Sequence, residues 1–216
     1  MKSSTLLLLP ALLALASCDG LFGGLYDEPA KGTPTGFVQR DTDGRGGTIY
    51  IDARSYTRWT YLDLHTLTFD TASIPLGQPE PHAWDIALHR YDVKTHDGAA
   101  TVLPAEFVGE LSTLPDTAGL AFTADADSQV VVDMSTMMDG YLGHAPSAVN
   151  PVLSRWLDVN TSEMPPIYTL SRSVYLVRLA DGSCAALQFT GYTNEAAVKG
   201  FVTLRYRYPL TPPDNP

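Results

Sequence analysis

Short alternating stretches, rather than long amphipathic helices, dominate the chain. Residues 48–52 (Thr-Ile-Tyr-Ile-Asp) alternate behind Gly47, the period of two expected of a strand with one buried face. Residues 56–64 carry Trp59, Tyr61, Leu62 and Leu64, residues 83–89 form an apolar run broken by Asp85, and residues 129–133 are brief and β-branched. Residues 174–179 and 184–189 flank Asp181-Gly182, which predicts a hairpin with a glycine-containing turn. Residues 201–208 alternate cleanly: Phe201, Thr203, Arg205 and Arg207 share one face, and Val202, Leu204, Tyr206 and Tyr208 share the other, which is expected to be buried. Residues 194–198 are expected as a short helix. Short strands at this spacing predict an all-β fold, a mostly antiparallel single domain with few short helices.

The two ends break this pattern. Lys2 precedes an apolar run over residues 6–16, which closes on Leu15-Ala16-Ser17-Cys18. A charged start, a run of this length and small residues before a cysteine read as a lipoprotein signal peptide over residues 1–17, with Cys18 lipidated. Such a run is too short for an ordinary membrane-spanning helix, so the partner expected at this end is a lipid membrane, reached through acylated Cys18. Residues 18–46, rich in Gly, Pro and polar side chains, are expected to be a flexible tether. The β domain is then 47–210, and 211–216 is a frayed tail. Cys184 is left without a disulfide partner in an apolar stretch, where a small buried hydrophobe is its expected role.

Composition narrows the function. The 216 residues carry a formal net charge of −10, the opposite of the basic footprint that nucleic acid requires. The sequence contains no Gly-x-Ser-x-Gly elbow, phosphate-binding glycine loop, His-Glu-x-x-His helix or Cys-x-x-Cys pair, so nothing speaks for an enzyme. Asp85 and Asp92 flank His89, but a carboxylate inside an apolar run is expected to be a paired structural group. His65, His82, His89 and His96 are scattered without a ligand spacing.

Methionine is distributed unevenly. Apart from the initiator, Met134, Met137, Met138 and Met164 fall within one short span that also holds His144 and Trp156. Thioether sulfur is a soft ligand suited to copper(I) or haem iron, and Met beside aromatics suits a flat apolar ligand. Filling gaps in a core is the commoner use of Met, and the residues alone leave these alternatives open.

Several ordered segments carry a resemblance. Ala83-Trp-Asp-Ile-Ala-Leu-His-Arg-Tyr-Asp-Val93, the block from Trp156 through Leu170-Ser171 to Ala180-Asp-Gly182, Gln188-Phe-Thr-Gly-Tyr192, Lys199-Gly200 and Thr203-Leu-Arg-Tyr-Arg-Tyr-Pro209 together resemble the HmuY family of haem-binding lipoproteins of Bacteroidetes. The resemblance implies a β-rich haemophore, not an enzyme. It implies haem held between two loop regions by two axial side chains, and transfer to a TonB-dependent outer-membrane receptor for iron acquisition. In the family's two-His arrangement the ligand positions fall here on Thr161 and near Tyr141. Members with two Met ligands provide the alternative, and this chain offers Met164 in one loop region and Met137 or Met138 in the other, with His144 as the fallback. Arg155, Arg172 and Lys199 are the candidates for haem propionates. The alternative function is a lipid-anchored β module, without haem, for adhesion or assembly.

Overall fold

A computed structural model describes residues 35–104, 119–163 and 165–210. The expected signal peptide, Cys18, the first part of the tether, the tail and Met164 lie outside the described residues.

The chain opens with β1 (Gly36–Arg40), β2 (Gly46–Asp52), β3 (Arg58–Asp63) and β4 (Thr68–Ser73). There follow β5 (Ile86–His89), β6 (Asp92–Thr95), β7 (Ala99–Val102) and β8 (Thr123–Ala124). Two hairpins come next, β9 (Ala126–Asp133) with β10 (Gly143–Val149), and β11 (Leu157–Asn160) with β12 (Ile167–Leu170). The chain closes with β13 (Val174–Arg178), β14 (Cys184–Thr193) and β15 (Lys199–Arg207). One sheet has seven strands in the order β1-β2-β15-β14-β13-β7-β8, and a second has four, β4-β3-β5-β6. Among the described residues every strand pairing is antiparallel. The only helical turns among the described residues are 3-10, Met137–Asp139 and Leu153–Trp156. The all-β antiparallel expectation therefore holds.

The main core contains Ile49, Ile51, Val202, Leu204, Leu187 and Phe189 from the larger sheet and Leu62, Ile86, Leu88 and Val93 from the smaller. Trp156 is fully buried there, stacked on Phe189 at 4.5 Å, and its indole N–H donates to the Tyr91 carbonyl at 2.9 Å. The smaller sheet is covered on both sides. Its outer face presents Trp59, Tyr61, Trp84 and Ala87 to Val130 and Val149 of the β9–β10 hairpin. Coverage of both faces explains why β5 reads as a continuous apolar run instead of alternating. The same holds for β13, where Tyr175 and Val177 face the main core while Val174 and Leu176 join Leu103, Ala186 and Leu210 on the reverse. Half-buried Cys184 packs against this last cluster, and burial pushes its thiol pKa up, in keeping with a packing role.

Two expectations need correction. Residues 36–40, assigned to the tether, form β1, in register with β2 from Gly36–Ile51 to Arg40–Gly47. Five residues bordered by Gly and polar side chains carry no visible period, and pairing across the sheet supplies the order. Residues 194–198 form the turn between β14 and β15 instead of a helix. The Asn194 carbonyl accepts the Ala197 N–H, the Asn194 side chain accepts the Val198 N–H, and Ala197 takes φ 57°. So short a segment offers the backbone more through these local bonds than through one helical turn. On the predicted buried face of β15, Val202, Leu204 and Tyr206 are buried, whereas Tyr208 lies beyond the strand and is half-buried.

Candidate functional site

The two hairpins that hold the candidate ligands share a root. Asn150, fully buried, directly follows β10. Its backbone N–H donates to the Val93 carbonyl at 2.7 Å, and its side-chain amide donates to the Thr123 carbonyl and to Asp125 at 3.0 and 2.9 Å. Its side-chain oxygen accepts the N–H groups of Val152 and Leu153 at 3.1 and 3.0 Å, and so fixes the start of the 3-10 turn that feeds β11. One asparagine thus ties the end of the first hairpin, the edge of the smaller sheet and the entry to the second hairpin.

The first hairpin's tip is compact. The Thr136 carbonyl accepts the N–H groups of Asp139 and Tyr141, and Gly140 closes the 3-10 turn at φ 83° with its N–H on the Met137 carbonyl. Met137 and Met138 are adjacent on this turn, 45% and 88% exposed. His144 is exposed at the start of β10, and its Nδ1 donates to the Leu142 carbonyl at 3.0 Å. In the neutral imidazole this fixes the tautomer and leaves the Nε2 lone pair for a ligand. Five of the eight exposed large apolar side chains among the described residues belong to these hairpins: Met137, Met138, Tyr141, Leu142 and Ile167.

The second hairpin's loop begins with Asn160, whose side-chain oxygen accepts the Ser162 N–H and hydroxyl at 2.9 and 2.7 Å. Pro165 and Pro166 restrict its far side. Met164 belongs to this loop but lies outside the described residues, and Thr161 is exposed. Tyr168 of β12 stacks on Tyr192 at 5.4 Å and lies 4.0 Å beneath the Lys199 ammonium. Arg155, Arg172 and Lys199 are all solvent-exposed.

The most recognisable segment, residues 84–90, is framework. The Asp85 carboxylate, buried, accepts the Leu64 N–H at 2.7 Å. His89, 1% exposed, donates from Nε2 to the Tyr56 carbonyl at 2.7 Å and faces Asp92 at 3.4 Å. Arg90 donates to the Arg54 carbonyl and stacks on Tyr56. Trp84, with Trp59 and Tyr61, encloses the Lys94 ammonium, which also pairs with Glu80. A cavity of about 420 Å³ opens beside this box, against Glu80, Trp84, Lys94, His96 and Asp125. Among the described residues, none of Met137, Met138 and His144 lines it.

Sequence reasoning missed one cluster. His65 lies with Nδ1 3.1 Å from Asp85 and 3.6 Å from Asp63, and with Nε2 3.2 Å from Asp181. Burial opposes protonation of His65, but its hydrogen bonds to Asp181 and Asp85 outweigh this and raise its pKa. The Ser183 hydroxyl and N–H, and then His65, pull Asp181 down to about 2. The Asp63-x-His65 spacing was visible in the sequence, but the approach of Asp85 and Asp181 depends on tertiary folding.

The HmuY protein family model matches residues 55–206. This chain belongs to the HmuY family. Among solved structures, a Bacteroides vulgatus protein described as HmuY-like and heme binding is 44% identical, with a TM-score of 0.72 over 82% of this chain and 99% of its own. A Bacteroides fragilis protein described as a lipoprotein is 42% identical, with a TM-score of 0.75 over 85% of this chain and all of its own. The apo HmuY analog of Tannerella forsythia is 30% identical, with a TM-score of 0.63 over 74% and 94%. A search of curated proteins finds no match. For an HmuY-family chain, the residues that carry the family likeness in segment 84–90 build the sheet, and the described candidate ligands Met137, Met138 and His144 stand apart from them at the tip and start of the β9–β10 hairpin.

Proposed function

We propose that this protein is a haemophore, a non-enzymatic lipoprotein anchored at the outer membrane through Cys18, which captures haem and passes it to a TonB-dependent receptor. The observation that carries the reading is the concentration of exposed soft and apolar side chains, Met137, Met138, Tyr141 and Leu142, at the tip of the first of two commonly rooted hairpins, with Ile167 exposed on the second. Exposed Met, Tyr and Leu side chains incur an apolar hydration cost, which a flat apolar ligand removes. The donor set fits haem: thioether sulfur and a neutral imidazole Nε2 are both axial ligands of haem iron. Bound haem supplies an iron with two axial positions. Met137 or Met138 takes one, Met164 the other, and His144 is the substitute partner. Arg155, Arg172 and Lys199 are available to the propionates. Thioether ligation favours the ferrous state relative to ligation by two imidazoles.

The test is a visible-spectrum titration of residues 19–216 with haemin, under oxidising and reducing conditions. A saturable low-spin spectrum is expected, with tighter binding of reduced haem. Met164→Ala, or Met137→Ala with Met138→Ala, should abolish it. A low-spin spectrum that survives both changes moves the ligand role to His144. No specific spectrum at all favours the lipid-anchored module without haem, a reading motivated by the expected His positions, which fall on Thr161 and near Tyr141, neither of which is His.

A further inference from the structure

We propose that Asp63, His65 and Asp85 form a site for one divalent transition-metal ion of the zinc class, with Asp181 holding His65 from behind. The three side chains come from the end of β3, the turn after it and the residue before β5, and one ligand atom of each lies within 4.8 Å of the others. The two separations measured from His65 Nδ1, 3.1 Å to Asp85 and 3.6 Å to Asp63, bracket the spacing of ligands around zinc. Bonds of ~2.0–2.1 Å in a tetrahedron place neighbouring ligand atoms about 3.3–3.4 Å apart.

The surroundings match a metal-binding histidine. An imidazole that ligates through Nδ1 carries its proton on Nε2, and here Nε2 meets the Asp181 carboxylate at 3.2 Å. That is the carboxylate–histidine–metal arrangement, in which the outer carboxylate fixes the ring and strengthens the donor. The same Asp181 is held by the Ser183 hydroxyl and N–H at 2.6 and 2.8 Å. Both inner carboxylates are oriented by the backbone: Asp85 by the Leu64 N–H, and Asp63 by the N–H groups of His65 and Thr66. The Asp63 and Asp85 side chains are only 13% and 11% exposed, whereas that of His65 is 45% exposed. Two adjacent carboxylates drawn partly out of water gain from a cation between them, and the open side leaves a fourth position for water. One nitrogen and two oxygens suit zinc or its first-row neighbours better than calcium or magnesium, which require six or more oxygen ligands.

None of these residues lies in the two hairpins, so the site stands independently of the haem reading. The experiment is calorimetric titration of the chelator-stripped, purified protein with zinc chloride, repeated with cobalt(II) to read the ligand-field spectrum. One equivalent should bind, with a tetrahedral cobalt spectrum. His65→Gln should abolish binding. Asp181→Asn, which keeps a side-chain oxygen for the Ser183 N–H and hydroxyl, should weaken it ~10–100-fold while keeping the stoichiometry. Met137→Ala with Met138→Ala should leave it unchanged. The proposal is overturned if zinc fails to saturate the protein below about 1 mM, or if His65→Gln binds as well as the parent. In either case the cluster is an ion pair only.

Discussion

Met137 and Met138 are neighbours on one 3-10 turn, yet one is half-exposed and the other almost fully so. Nothing in the sequence separates them, because adjacent residues on a tight turn differ only in the direction their side chains take. His144 provides the contrast at the same scale. Its tautomer, set by the Leu142 carbonyl, makes it a chemically ready ligand, so its exclusion must be tested directly. Thioethers do not titrate near neutrality and imidazole does. If both ligands are Met, haem affinity should change little between pH 7.5 and about 5.5, and His144→Ala should leave the low-spin spectrum intact. A steep loss of affinity on acidification, removed by His144→Ala, would instead identify the imidazole as a ligand. The Met cluster was legible in the sequence because Met is rare elsewhere in the chain. The roles of Asp85 and His89 were legible only as a class: the sequence marks a polar group in an apolar run, but the Leu64 N–H and Tyr56 carbonyl that satisfy them become visible only in the fold.

At the scale of elements, the strands that were easiest to read are those with one covered face. β15 alternates because only one of its faces is fully buried while the other is half-buried or exposed, whereas β5 and β13, covered on both faces, look like apolar runs that a short buried helix could also produce. β1 was not legible at all. Its order comes from β2, and the approach of the two strands depends on Gly47, which adopts φ 150° against the backbone of Gln39 and Arg40. A Cβ at Gly47 collides with the Gln39 carbonyl, and backbone cannot swing aside as a flexible side chain would. Gly47→Ala should therefore destabilise the protein by about 1–3 kcal/mol in urea unfolding. Amide exchange should accelerate over residues 36–40 first, while β13 and β14 keep their protection.

Across the whole molecule, the two sheets bury one main core and the β9–β10 hairpin lies over the outer face of the smaller sheet, so the hairpin is both a structural cover and the bearer of candidate ligands. Its two duties are spatially separate: Val130 and Val149 pack on Trp59 and Trp84, and the Met residues occupy the far end. Asn150 joins this cover to the second hairpin. Asn150→Ala removes four side-chain hydrogen bonds, two donated by its amide and two accepted by its oxygen, and keeps the backbone N–H bond to Val93. A loss of about 2–4 kcal/mol in stability is expected, with haem affinity reduced although Asn150 is not itself a candidate ligand. A stability loss with unchanged affinity would show that the tips keep their placement without it.

The shared root also bears on how such a protein can change its chemistry. A pair of tongs keeps its gauge at the rivet, and the material of the tips can be exchanged without recutting the arms. With Asn150 as the rivet, a swap of imidazole for thioether at the tips touches no residue that holds the β-sheets together. Ligand chemistry in this architecture can therefore drift at little cost to folding.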